Sequence, residues 1–142
     1  KTILFDLDNT ILPADEYQPS IRVINLFNEL KNLGFSLALL TNDLKKKRVQ
    51  KISELLGVDA YYFVCKPFSH VVKNIISKEL GLAPREVALV GDQVLGDVAL
   101  GNWLETYTIL IKHCDHQYPD NNTSTGLIKQ IHTAILEKFI NK

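Results

Sequence analysis

The sequence has no methionine, a single tryptophan and only two cysteines, Cys65 and Cys114. Two thiols this far apart make neither a disulfide framework nor a zinc-type spacing, so a reducing, cytoplasmic setting is expected. Seven glycines and five prolines in 142 residues are too few for a low-complexity chain, and no internal repeat is visible. Sixteen basic and sixteen acidic residues cancel, which leaves no global field to attract a specific nucleic-acid partner. No apolar run is long enough to span a bilayer. The chain opens at Lys1, already in strand-like sequence, so a processed or trimmed start is expected.

What is present is an ordinary globular composition, 46% hydrophobic and 23% charged. The length fits one domain over residues 1–142. Short apolar runs alternate with segments of helical period. Strands are expected at 2–5, 35–40, 61–64, 87–90 and 106–111. Helices are expected at 21–33, 44–56, 69–80, 94–104 and 127–139, with Gly34, Gly57 and Gly81 as stops for the first three. This alternation predicts an α/β fold, a parallel sheet covered by helices on both faces.

Asp6-Leu7-Asp8-Asn9-Thr10 follows the first apolar run directly. A buried carboxylate needs a cation, a hydrogen-bond donor or a chemical role. From this pentapeptide alone, an acidic turn is as good a reading as a chemical one. The other strand ends shift the balance. Thr41, Asn42 and Asp43 follow the second strand, Cys65, Lys66 and Pro67 the third, and Gly91, Asp92 and Gln93 the fourth, with Asp97 further on. In a parallel sheet these ends share one edge, where α/β proteins place their chemistry. Clustered carboxylates, a lysine and a hydroxyl suit phosphoryl transfer, which needs charge neutralised and oxygens aligned. Carboxylates bind Mg²⁺, and one aspartate can attack phosphorus while another moves a proton.

These four segments, in this order and spacing, resemble the motifs of the haloacid dehalogenase superfamily of phosphatases. The resemblance implies a three-layer Rossmann-like sandwich with a five-stranded parallel sheet, order 5-4-1-2-3, and Mg²⁺ as cofactor. It makes Asp6 the nucleophile. Asp8 becomes the general acid/base and lends its backbone carbonyl to the metal. Thr41, with the Asn42 backbone, and Lys66 hold the phosphoryl oxygens. Asp92 joins Asp6 and Asp8 at the metal. Thr10 and Gly91 support the loops, and Asp97 is a second acidic partner acting through water or by orienting Lys66.

Only residues 11–19 separate the first motif from the next helix, room for a short flap and no cap domain. The finer motifs Cys65-Lys66-Pro67-Phe68 and Gly91-Asp92-Gln93 with Gly101-Asn102 are similar to the capless, subclass IIIA, YqeG-like and phosphatidylglycerophosphate-phosphatase-related group. Thr41-Asn42-Asp43 departs from the Ser-Asn-Asn expected there, and Trp103 stands where a basic or small residue is usual. The expected substrate is a phosphorylated small molecule or a lipid phosphate, with peripheral membrane contact and a homo-oligomer left open. Two other readings stand beside hydrolysis: a non-catalytic phosphoacceptor, and an interaction module on the same fold. Asp8 speaks against the phosphoacceptor, since receiver domains lack a second aspartate two residues past the acceptor.

Lesser signals carry bland readings. Lys45-Lys46-Lys47-Arg48 reads as a solvated helix face, with an anionic lipid surface as the alternative. His113-Cys114-Asp115-His116 is too cramped for a zinc site and reads as a polar loop. Cys65 reads as a packing cysteine at a strand end, and Trp103 as packed under the fourth helix. Tyr17 is either a surface residue or a substrate contact.

Overall fold

The computed structural model describes residues 1–111, 131, 133–135 and 137. Strand β1 (Thr2–Phe5) is buried along its whole length. It pairs in parallel with β2 (Ser36–Leu40) on one side and β4 (Val87–Gly91) on the other. Strands β3 (Asp59–Tyr61) and β5 (Tyr107–Leu110) pair outward from these, also in parallel. The order β3-β2-β1-β4-β5 is the expected one read from the opposite edge.

Strand alternation sends successive side chains to opposite faces. Ile3 and Phe5 join one core with Phe27, Leu30, Val49 and Ile52. Leu4 joins the other with Val72, Ile75, Ile76 and Leu100. Helices α1 (Ile21–Asn32) and α2 (Lys46–Leu56) therefore cover one face. Helices α3 (His70–Asn74) and α4 (Ala99–Leu104) cover the other. The result is three layers, with helices on both faces of one sheet.

Local chemistry sets the boundaries. The Ser20 hydroxyl caps α1 by accepting from Val23 N–H at 3.3 Å. Val23, Leu26, Phe27 and Leu30 then fall on one buried stripe. Helix α2 ends at Gly57 in the left-handed region, φ 61°, a conformation glycine adopts without steric cost. The Ser69 hydroxyl caps α3 by accepting from Val72 N–H, and it donates to Val64 O.

Three expectations are corrected. The third strand lies at Asp59–Tyr61, not 61–64. Phe63 and Cys65 take left-handed backbone, φ 53° and 56°, which breaks a strand after Tyr61. The third helix widens into a π-helical turn, Ile75–Glu79, where Leu80 N–H reaches back to Ile75 O. The fourth begins as another, Val94–Val98. Of the expected last helix, Ile131, Thr133, Ala134, Ile135 and Glu137 are helical, and Ile131 and Ile135 enter the first core. Its other residues, and the His113-Cys114-Asp115-His116 cluster, lie outside the described residues. Among the described residues no helix is long and apolar enough to cross a membrane.

Candidate active site

The register brings the expected residues to one edge. Phe5 lies level with Leu39 and Val90, so Asp6, Thr41 and Asp92 leave the sheet within one residue of each other. Asp6 N–H donates to Val90 O at 2.7 Å, which extends the ladder by one rung before the loop departs.

Lys66 is the centre of the edge. Its buried Nζ lies 2.5 Å from Asp6 Oδ1 and 2.6 Å from Asp97 Oδ1, and it donates to Leu40 O at 3.0 Å. Thr10 Oγ1 donates to the other Asp6 oxygen, Oδ2, at 3.4 Å. The Asn42 side chain holds the lysine's own backbone. Its Oδ1 accepts from Lys66 N–H at 2.9 Å, and its Nδ2 donates to Lys66 O at 3.4 Å. Asn42 thus grips the lysine loop with its amide. Thr41 is buried, and its hydroxyl accepts from Asp43 N–H at 3.1 Å.

Asp97 reaches this group because of two local features. It sits in the π-helical turn Val94–Val98, where Val98 N–H bonds back to Gln93 O. Single π turns inside helices often accompany functional sites. Asp97 Oδ2 accepts from Gln93 N–H at 3.2 Å. The space it fills exists because residue 91 is glycine: a Cβ there would overlap the Asp97 carboxylate.

Asp6, Asp92 and Asp97 each offer a carboxylate oxygen within 4.8 Å of the others. Hard oxygen donors at this density fit Mg²⁺. Burial pushes the Asp6 carboxyl up to about 6, and Asp97 adds to the rise, although Lys66 pulls the other way. Burial also opposes the Lys66 charge, but Asp6 and Asp97 outweigh it and raise its pKa. Such a buried, charged group is costly to fold and is characteristic of functional sites.

Asp8 faces a different partner, one the sequence reading missed. Arg48, expected on a solvated helix face, is buried. Its Nη1 lies 2.7 Å from Asp8 Oδ1 and donates to Asp43 Oδ2 at 2.6 Å. Nε donates to Glu16 O at 2.8 Å and Nη2 to Pro13 O at 3.0 Å. Burial alone would lower the Arg48 pKa, but the two carboxylates raise it. Burial would likewise raise the Asp43 carboxyl, but the Lys45 N–H and Arg48 hold it below the usual value. The signal was available: position 48 adjoins Val49, which shares an inward face with Ile52 and Leu56. Lys45, Lys46 and Lys47 do remain exposed.

Two lesser expectations are corrected as well. Cys65 is exposed, four residues past the end of β3 and with left-handed backbone. Trp103 is exposed and stands edge-on to Phe68 and His70 rather than under α4. Tyr17 is exposed, with its ring 5.9 Å from the Arg48 guanidinium.

A parallel sheet between two helical layers, with acidic groups and one lysine gathered at its carboxyl edge, defines a Rossmann-like α/β architecture. The chain belongs to the haloacid dehalogenase-like hydrolases, whose family model matches residues 10–103. It is 32% identical over 111 residues to the probable phosphatase YqeG of Bacillus subtilis, an alignment that takes in 78% of this chain. The alignment spans 63% of that relative's length, less than two thirds. Two solved structures share the fold. A HAD phosphatase from Thermococcus onnurineus superposes with a TM-score of 0.68 at 17% identity, covering 92% of this chain and 97% of that one. The D,D-heptose 1,7-bisphosphate phosphatase from B. bronchiseptica, solved with magnesium and phosphate, superposes with a TM-score of 0.67 at 14% identity, covering 94% and 99%.

Proposed function

We propose that this chain is a Mg²⁺-dependent phosphomonoester hydrolase acting through an aspartyl-phosphate on Asp6. The observation that carries the reading is Lys66 Nζ held between Asp6 and Asp97, with Asp92 in the same carboxylate group. An Asp6 oxygen attacks phosphorus, and the bond to the leaving oxygen breaks. Asp8 gives that oxygen a proton, then takes one from the water that hydrolyses the aspartyl-phosphate. Lys66 and Thr41 hold the non-bridging phosphoryl oxygens, and Thr10 fixes the nucleophile's second oxygen. Asp97 holds the Lys66 Nζ beside Asp6. Asp6, Asp92 and the Asp8 carbonyl would hold Mg²⁺, which would supply the positive charge that lets an anionic phosphate approach carboxylates.

The proposed enzyme is capless. The segment from Asp6 to the start of α1 has an isolated bridge, Asp8 to Leu12, and no helix. Its favoured substrate is a lipid phosphate, phosphatidylglycerophosphate by resemblance, met at a membrane surface. Three of the four segments bearing site residues also bear exposed apolar side chains: Leu44 near Asn42, Phe63 and Phe68 near Lys66, Leu95 beyond Asp92. Exposed Lys45, Lys46 and Lys47 supply charge that suits an anionic surface.

The test is steady-state hydrolysis of a panel of phosphomonoesters, with and without Mg²⁺, including lipid phosphates in detergent micelles. Mg²⁺-dependent release of phosphate, fastest from the lipid members, is expected. Faster turnover of soluble sugar phosphates or nucleotides overturns the lipid assignment. Tight binding of phosphate esters without turnover overturns the enzymatic reading in favour of a phosphoacceptor or interaction module.

A further inference from the structure

Arg48 is fixed by groups other than Asp8. Asp43 Oδ2 and the carbonyls of Glu16 and Pro13 take its hydrogen bonds, at 2.6, 2.8 and 3.0 Å. Those two carbonyls belong to the flap, residues 11–19, whose own internal bond runs from Glu16 N–H to Pro13 O at 3.1 Å. The buried guanidinium is therefore a fork whose position is set by α2, Asp43 and the flap together. Asp8 Oδ1 meets it at 2.7 Å as an ion pair, on the nitrogen that already donates to Asp43. Asp8 is held by charge, whereas Asp43 is held by an aligned hydrogen bond. Lys66 serves Asp6 and Asp97, and Arg48 serves Asp8 and Asp43, so the two neighbouring aspartates rest on separate cations.

We propose that Arg48 is the positioning residue for Asp8, and that it ties the placement of this carboxylate to the placement of the flap. The proposal rests on the hydrolase reading above, in which Asp8 moves the proton. Arg48 does not touch substrate in this role and acts only through the Asp8 carboxylate. It keeps Asp8 from turning freely about its side-chain bonds, and it ties the flap carbonyls of Pro13 and Glu16 to α2. An arginine is suited to this because one planar group can satisfy two carboxylates and two carbonyls in fixed directions. A lysine offers a single nitrogen at that place and cannot span all four.

The experiment compares R48Q, R48K, D8N and the double variant D8N/R48Q in Mg²⁺-dependent hydrolysis of an aryl phosphate. R48Q should lower kcat by about tenfold or more, since misplacing a reacting group by about 1 Å costs on the order of 100-fold. KM should stay within about twofold, because the interaction lost acts on the reacting group and not on binding. R48K should recover part of the loss. If Arg48 acts through Asp8, the double variant is no slower than D8N alone. Independent, multiplying losses overturn the proposal. Hydrogen exchange at the Glu16 amide supplies a second measurement that needs no turnover. It should be faster in R48Q and in R48K than in the wild type, and unchanged exchange in a folded variant also overturns the proposal. If R48Q does not fold, R48K carries both comparisons. A wild type that hydrolyses no phosphomonoester defeats the hydrolase reading, while the exchange measurement still decides whether Arg48 fixes the flap.

Discussion

Asp97 occupies the space that a side chain on Gly91 would need. A Cβ at residue 91 would overlap the Asp97 Oδ2, Cγ and Cβ atoms at once. The glycine at the end of β4 is thus required by the carboxylate that follows it along the chain. Through Asp97 it is also required by Lys66, whose Nζ the carboxylate meets at 2.6 Å.

Gly91→Ala should therefore do two things. Overpacking of this kind costs about 1–3 kcal/mol, readable in chemical denaturation. Turnover should fall further than stability explains, because Lys66 loses one of its two carboxylates. An alanine variant with wild-type denaturation and wild-type kcat would show that Asp97 has room to move aside.

The Asp6 carboxyl predicts a pH dependence for metal binding. Its pKa is raised by burial to about 6 from an ordinary 3.8. The folded protein then holds a proton that the unfolded chain has released, so this group's contribution to stability falls as pH rises from about 4 to about 6. Above that window the ionised, buried carboxylate is a penalty that a bound cation relieves. Mg²⁺ should raise the unfolding midpoint more at neutral pH than at pH about 5, where a proton competes for Asp6. Asp43 runs the other way: its pKa is lowered, so its contribution is present above the ordinary carboxylate value and is lost as pH falls through the lowered one. Thermal unfolding with and without Mg²⁺ across this range checks both signs. Asp92→Ala should abolish the Mg²⁺ effect.

Most of the frame was readable because it rests on local rules. Continuous apolar runs marked β1, β2 and β4, and Gly57 marked a helix end with known capping chemistry. Asp6, Lys66, Asp92 and Asp97 were readable as a group because each follows a strand of a parallel sheet. What was hidden depends on tertiary contacts. Asp59 disguised β3, since a charged residue on a short edge strand breaks the apolar pattern. Arg48 was hidden in a run of four basic residues that look alike, although only its position turns inward. Asn42 was legible as a site residue but not as the clamp on Lys66, because that pairing joins residues 24 positions apart.

Asn42→Ala should release this clamp. Two hydrogen bonds to the Lys66 backbone are lost, each worth about 1 kcal/mol in a typical setting. Because Asn42 is exposed, global stability should change little. The effect should appear in KM and in inorganic phosphate inhibition, both weakened about fivefold, as Lys66 loses its fixed approach to the phosphoryl oxygens. Unchanged phosphate inhibition would mean that Asp6, Asp97 and Leu40 O suffice to place the lysine.

Turnover runs through a covalent bond between Asp6 and phosphorus in the proposed mechanism. An aryl phosphate with a good leaving group makes breakdown of the intermediate the slower step, so the intermediate accumulates during turnover. Rapid acid quench followed by mass spectrometry of the peptide bearing Asp6 reads it directly. A phosphoryl group on Asp6 that requires Mg²⁺ is expected, and it should be lost together with turnover in a folded Asp6→Asn variant. Turnover by the wild type with no phosphoryl group on Asp6, or full turnover by Asp6→Asn, would contradict this mechanism.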